Sequence, residues 1–137
     1  MAPKKRILLV DDDDGFRAIV TRSLRARYII LPASEGEEAF NKAFELRPDV
    51  ILLDMGMPGW DGMKTLQEIR KSPNLRSVPV MALTADNRKE TVQSVLSAGA
   101  DDYTLKELFH DNETAFRTKL EQLVARKVAL APIGGLK

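Results

Sequence analysis

Short runs of apolar residues alternate along the chain with segments in which apolar residues recur every three or four positions. The runs at residues 7–10, 28–31, 50–53 and 78–83 predict four strands, and a weaker fifth is predicted at residues 100–105, where two aspartates interrupt the run. The run at residues 50–53 ends abruptly at Asp54 and a turn, which is typical of a strand buried on both faces of a parallel sheet.

Each predicted strand is followed by the periodicity of an amphipathic helix. The predicted apolar stripes are Phe16, Ile19, Val20 and Leu24; Ala39, Phe40, Ala43 and Phe44; Met63, Leu66 and Ile69; Val92, Val95 and Leu96; and Phe116, Leu120, Leu123 and Val124. Pro32 is expected to end the second strand, and Ser34 with Glu37 has the spacing of a capping box. Residues 108–114 are predicted to form a loop before the last helix.

Five successive strand–helix units predict a parallel sheet covered by helices on both faces, because parallel neighbours are joined by right-handed crossovers. The 137 residues suit one domain, whereas a closed barrel of such units takes about 250 residues. We therefore expect a flavodoxin-like (βα)5 fold with the strand order 2-1-3-4-5. The domain is assigned to residues 1–128, and residues 129–137, which lack periodicity, to a tail or linker stub.

The composition is that of an ordinary globular protein, with 44% hydrophobic and 30% charged residues. Because 21 basic residues balance 20 acidic ones, we expect no direct binding of nucleic acid and no attraction to an anionic membrane. No apolar run approaches the roughly 18 residues of a membrane span. Cysteine is absent and no signal-peptide pattern is found, so the sequence predicts a cytoplasmic protein.

Polar residues follow several predicted strands at the point where each strand ends. Asp11 and Asp12 follow the first strand, Asp54 the third, Thr84 the fourth and Lys106 the fifth. In the predicted strand order, the ends of the first and third strands flank the crevice where ligands bind. The three carboxylates, far apart in the sequence, are therefore expected to converge.

Carboxylates crowded at one site repel one another unless a cation offsets their charge. Oxygen ligands without a nearby histidine or cysteine favour a hard ion, and a shallow site suits Mg²⁺. A hydroxyl and an ammonium group, here those of Thr84 and Lys106, can bind phosphate oxygens. The constellation therefore fits phosphoryl transfer, in which Asp54 would form an acyl phosphate.

The combination and order of these motifs resemble the receiver domain of two-component response regulators over residues 6–128. The motifs that carry the resemblance are Ile7-Leu8-Leu9-Val10-Asp11-Asp12, Leu53-Asp54-Met55, Met57-Pro58-Gly59-Trp60-Asp61-Gly62, Leu83-Thr84-Ala85, and Gly99-Ala100-Asp101-Asp102-Tyr103 followed by Lys106. The resemblance implies that Asp54 accepts a phosphoryl group from a phosphohistidine on a sensor kinase or phosphotransfer protein. It implies that Asp12 and Asp54 ligate Mg²⁺ directly, that Asp11 acts largely through water, and that the main-chain carbonyl of Gly56 completes the protein ligands.

The resemblance further implies that Thr84 and Tyr103 form a switch pair, which remodels a face that binds a downstream effector. Lys106 matches the lysine that pairs with the acyl phosphate, and homodimers through this face are common in the family. Here Glu107 follows Lys106, where the family usually has a proline in a cis peptide. Because a cis bond at a non-proline residue costs ~2.5–4 kcal/mol, against ~0.5–1 kcal/mol for proline, the loop is either strained or differently shaped.

Two other functions stay open. A receiver-like module could act through protein contacts without phosphorylation, and the Glu107 departure favours this alternative slightly. An enzyme on the same fold, such as a flavin carrier or phosphatase, has little support, because no glycine-rich phosphate loop is found and the sole histidine, His110, lies in a polar segment. We therefore expect no catalysis beyond Mg²⁺-dependent self-phosphorylation and self-dephosphorylation.

Overall fold

The computed structural model describes residues 3–135, with side chains as far as residue 125. This part of the chain contains five strands, each followed by a helix, and a sixth helix at the end. The strands are β1 (Lys5–Val10), β2 (Tyr28–Ala33), β3 (Val50–Asp54), β4 (Val80–Thr84) and β5 (Asp102–Leu105). The helices are α1 (Asp14–Leu24), α2 (Gly36–Leu46), α3 (Gly62–Lys71), α4 (Lys89–Ser97), α5 (Lys106–Asp111) and α6 (Glu113–Gly135). None of the described helices has the length and hydropathy needed to cross a bilayer.

The strands form one parallel sheet in the order β2-β1-β3-β4-β5, which confirms the predicted flavodoxin-like topology. Alternate residues of the central strands face opposite sides. Ile7 and Leu9 of β1 face one apolar cluster, while Leu8 and Val10 face the other, and all four are fully buried. The unbroken apolar runs therefore reflect strands covered on both faces.

The two clusters differ in their side chains. The cluster beneath α2, α3 and α4, which we call the aliphatic layer, has a buried core of aliphatic side chains and Met57. The cluster beneath α1, α5 and α6, which we call the aromatic layer, buries Phe16, Tyr28, Phe109 and Phe116. The aromatic layer thus includes Phe109 of α5, the helix that begins directly after β5.

Several local predictions are corrected by the structure. Strand β2 includes Pro32 and continues to Ala33, which is tolerated because β2 is an edge strand and a missing N–H there costs no ladder bond. Helix α2 has Glu35 rather than Ser34 as its N-cap, and Ser34 pairs instead with Glu38, which accepts bonds from its amide and hydroxyl at 2.8 and 3.2 Å. The helix therefore begins one residue later than predicted, and no side-chain hydrogen bond caps it.

The outermost positions of three predicted stripes are exposed: Ile19 by 40%, Phe44 by 51% and Leu96 by 40%. Residues 106–111, most of which were predicted as loop, form helix α5. Helix α6 continues to Gly135, through most of the segment assigned to a tail, whose last two residues lie outside the described part. The division at residue 128 stays a prediction.

Candidate functional site

The ends of the central strands bring the predicted site residues to one edge of the sheet. Asp54 is the last residue of β3 and Thr84 the last of β4, whereas Asp11 follows β1 directly and Lys106 follows β5. Because β1 and β3 are adjacent and parallel, their carboxyl ends open into the same cleft. The cleft is lined by Asp12, Asp13, Asp54, Met55, Gly56, Thr84, Ala85, Asp86, Thr91 and Lys106.

Three carboxylates converge in this cleft as predicted. Asp11, Asp12 and Asp54 each offer an oxygen atom, and these three atoms lie within 4.8 Å of one another. Asp11 is fully buried and Asp54 is 4% exposed, while Asp12 is exposed to solvent. The amide of Gly56 donates a hydrogen bond of 3.0 Å to Asp54 Oδ1, which fixes one face of this carboxylate.

Lys106 reaches both buried carboxylates. Its Nζ lies 2.7 Å from Asp11 Oδ2 and 3.3 Å from Asp54 Oδ2. The peptide bond between Lys106 and Glu107 is trans, as are the others in the described part of the chain. Of the two possibilities, a strained cis bond or a different shape, the structure shows the different shape. Lys106 is the first residue of helix α5, and Leu105 is the N-cap of this helix.

The electrostatics of the cleft follow from burial and proximity. Burial raises the pKa of Asp54 to about 6, opposed by the Gly56 amide and by Lys106 and reinforced by the Asp11 charge. Burial alone would lower the pKa of Lys106, but the two carboxylates outweigh it and raise this pKa. At pH 7 the Asp54 carboxyl group is therefore mostly ionised, and Lys106 is an ammonium group.

The donor set fits a hard metal ion. Asp11 Oδ2 is buried, and among the described residues the Lys106 ammonium group, 2.7 Å away, pairs with it. Two buried carboxylates and one exposed carboxylate are oxygen ligands of the kind that Mg²⁺ and Ca²⁺ prefer. The cluster can therefore hold a cation that shares these carboxylates with Lys106, while the role of the Gly56 carbonyl stays a prediction.

The predicted switch residues have other partners. Thr84 is buried, and its Oγ1 accepts a hydrogen bond of 3.0 Å from the Asp86 amide. Tyr103 is half-buried and lies outside the set that lines the cleft. Lys119 Nζ lies 4.7 Å from the centre of the Tyr103 ring and donates a 2.8 Å hydrogen bond to the Tyr103 carbonyl oxygen.

Sequence reasoning treated Phe16 only as a core residue. The centre of its ring lies 5.0 Å from Lys106 Nζ, so the ring is a third neighbour of the site ammonium group. Phe16 lies five residues after Asp11, in the first turn of α1, and this closeness to the predicted site in the sequence could have indicated that its ring lies near the site. Asp86, whose amide donates a hydrogen bond to Thr84 Oγ1, is not among the residues that the sequence singled out.

A family model described as the response regulator receiver domain matches residues 7–121. The chain is 41% identical over 104 residues to the probable transcriptional regulator ycf27 of Guillardia theta, covering 75% of this chain and 40% of that protein. It is 38% identical over 126 residues to the transcriptional regulatory protein PrrA of Mycobacterium leprae, covering 91% of this chain and 49% of that protein.

Among solved structures, the chemotaxis response regulator CheY4 of Vibrio cholerae superposes with a TM-score of 0.81 at 28% sequence identity, covering 88% of this chain and 99% of that chain. The chain spans about half the length, or less, of the curated relatives named above.

Proposed function

Because the chain belongs to the response regulator receiver domain family, we propose that it is the phosphoacceptor switch of a two-component system and that Asp54 accepts the phosphoryl group. The observation that carries this proposal is the placement of Asp54 between the Lys106 ammonium group at 3.3 Å and the two acids that follow β1. The donor would be a phosphohistidine on a sensor kinase or phosphotransfer protein.

In the proposed reaction, a carboxylate oxygen of Asp54 bonds to phosphorus as the bond between phosphorus and the donor nitrogen breaks. With a pKa of about 6, Asp54 remains mostly ionised at pH 7 and is more basic than an ordinary aspartate. Lys106 lies where it can pair with a phosphoryl oxygen. Bound Mg²⁺, held by Asp11, Asp12, Asp54 and the Gly56 carbonyl, would neutralise charge on the transferred group.

Signalling would require a conformational change at Thr84 and Tyr103. The Thr84 hydroxyl would exchange its bond from the Asp86 amide for one to the phosphoryl group, and the Tyr103 ring would move inward. The affected surface, formed by α4, β5 and α6, would bind a downstream effector or a second copy of the chain. The names of the relatives favour an output in transcription. We expect an effector to exert it rather than DNA binding by this domain, whose basic and acidic residues balance. A cytoplasmic location stays a prediction.

The proposal is tested by incubating the protein with acetyl phosphate, with and without Mg²⁺, and measuring phosphoryl uptake. Uptake is expected for the wild type in Mg²⁺, and a loss of at least about 100-fold for Asp54→Asn, because the nucleophile is removed. Asp14→Asn, which alters an exposed acid of the same acidic run, is the matched control and should retain uptake. Equal uptake by wild type and Asp54→Asn would refute the proposal.

The alternative, a binding module that works without phosphorylation, was favoured by Glu107. In the structure, Glu107 does not displace Lys106, whose Nζ contacts both buried carboxylates. This contact supports the phosphoacceptor function over the alternative. Partner binding that is equal with and without beryllofluoride and Mg²⁺ would favour the binding module.

A further inference from the structure

The ring of Phe16 lies beside the Lys106 ammonium group and Phe109 packs against Phe16, and the proposed reaction uses neither ring. Phe16 is 8% exposed and Phe109 is 3% exposed. Their rings meet edge to face, with centroids 5.9 Å apart, and the Lys106 ammonium group lies over the Phe16 ring. The aromatic layer therefore extends to the charged centre of the site.

Helix α5 links Phe109 to Lys106. The two residues are three positions apart, which places them on neighbouring parts of one helix face. Phe109 packs against Phe16 from α1 and, with centroids 5.1 Å apart, against Phe116 from α6. The backbone at Lys106 is thus anchored between two other helices by a residue of its own helix.

The Phe16 ring acts on the other end of the lysine. A cation within about 6 Å of a ring centre is attracted by the negative face of the ring, and here that distance is 5.0 Å. A ring face attracts the ammonium group without accepting a conventional N–H···O bond, so the donors stay available for carboxylate and phosphoryl oxygens. Among the described residues, the charged groups paired with this ammonium group are Asp11 at 2.7 Å and Asp54 at 3.3 Å.

A lysine side chain is long and flexible, and holding it in one place costs conformational entropy. Residues 107–111, which follow Lys106, include no proline and have trans peptides, so no cis-proline turn aims the lysine, and its position depends on packing and on the two ion pairs. We propose that Phe16 and Phe109 are positioning residues, which hold the Lys106 ammonium group where it pairs with the phosphoryl group on Asp54. This inference rests on the proposed function.

The inference is tested by a double-mutant cycle. Phe16→Leu and Phe109→Leu are each made in the wild type and in Lys106→Met, and the affinity for beryllofluoride in Mg²⁺ is measured by fluorescence of the single tryptophan. Each leucine variant should weaken binding about three- to tenfold in the wild type and less than about twofold in Lys106→Met, because the rings act through the lysine.

Val20→Ala is the matched control, since it removes buried apolar volume from α1 one helical turn beyond Phe16 and should weaken binding less than about twofold. A second readout is the half-saturating Mg²⁺ concentration. Lys106→Met should lower it, because the ammonium group competes for the same carboxylates, and Phe16→Leu should lower it only when Lys106 is present.

Equal weakening of beryllofluoride binding in both backgrounds, or an equal effect of Val20→Ala, would overturn the inference while leaving the proposed function intact. A wild type that binds no beryllofluoride in Mg²⁺ would overturn the proposed function itself, and this inference with it.

Discussion

The two halves of the candidate site are held in different ways. In the acceptor half, formed by Asp11, Asp54 and Lys106, buried charges are in direct contact across the ends of β1, β3 and β5. In the switch half, formed by Thr84 and Tyr103 with their partners Asp86 and Lys119, the switch residues bond away from the acceptor. The acceptor half is therefore assembled in the folded chain, whereas the switch half would have to change partners.

The largest expected effect on stability comes from removing Lys106 from the acceptor half. In EDTA at pH 7, Lys106→Met should lower the free energy of unfolding by ~2–4 kcal/mol, because it leaves the fully buried Asp11 without its partner. Lys119→Met, in the switch half, is the matched control and should cost less than ~1 kcal/mol, since its pair with Asp102 is partly exposed. Urea unfolding gives both values, and equal losses would contradict the comparison.

The next largest effect is an increase in stability, which is expected when Asp54 is replaced. Because the pKa of Asp54 rises from 3.8 to about 6 on folding, the folded state binds more protons than the unfolded state between these pH values. The free energy of unfolding contributed by Asp54 therefore falls as pH rises through this window. Asp54→Asn in EDTA should raise the free energy of unfolding by ~1–3 kcal/mol above about pH 6, and not below about pH 4.

Asp86, in the switch half, should show the reverse pH dependence. Hydrogen bonds from the Arg88 side chain and amide, and from Thr91, hold the pKa of Asp86 well below its usual range. Its charged form therefore adds stability above the ordinary aspartate pKa, and this stability is lost as pH falls through the folded pKa. Asp86→Asn should lower the free energy of unfolding at pH 7. Urea unfolding of Asp54→Asn and Asp86→Asn at several pH values checks this, and a change of the same sign in both variants at pH 7 would contradict the comparison.

The smallest expected effect comes from replacing Thr84, and it tests whether the switch half is independent of the acceptor half. Thr84→Ala should lower the free energy of unfolding by only ~0.5–1.5 kcal/mol, because the Asp86 amide loses an acceptor. It should leave the half-saturating Mg²⁺ concentration within about twofold of the wild type, since the Thr84 hydroxyl is hydrogen-bonded to Asp86 rather than to any of the three acids. Thr84→Ser, which keeps the hydroxyl, is the control, and a large change in Mg²⁺ affinity for Thr84→Ala alone would show that the halves are coupled.

The sheet and the acceptor half follow from local patterns in the sequence. The unbroken runs that end at Val10 and Asp54 predict strands buried on both faces, and strand order then brings the acids together. The periodicity of a helix shows which side chains share its apolar face, but it does not show how much of that face the rest of the protein covers. Phe44 and Leu96 were therefore wrongly expected to be buried.

Helix α5 was missed because six residues are too few for a periodic signal, and its one buried residue, Phe109, is fixed by contacts distant in sequence. The same reason hid Lys119 as the partner of Tyr103. Lys119 reaches Tyr103 only because α6 packs beside β5, and no spacing along the chain reports that contact.

The most direct test of this account is a backbone amide NMR spectrum recorded first without metal, then with Mg²⁺, and then with Mg²⁺ and beryllofluoride. We predict that Mg²⁺ alone shifts the signals of Asp11, Asp54 and Gly56, and that those of Thr84, Tyr103 and Lys119 move only when beryllofluoride is added. Movement of both sets with Mg²⁺ alone, or no movement of Thr84 and Tyr103 with beryllofluoride, would contradict the account.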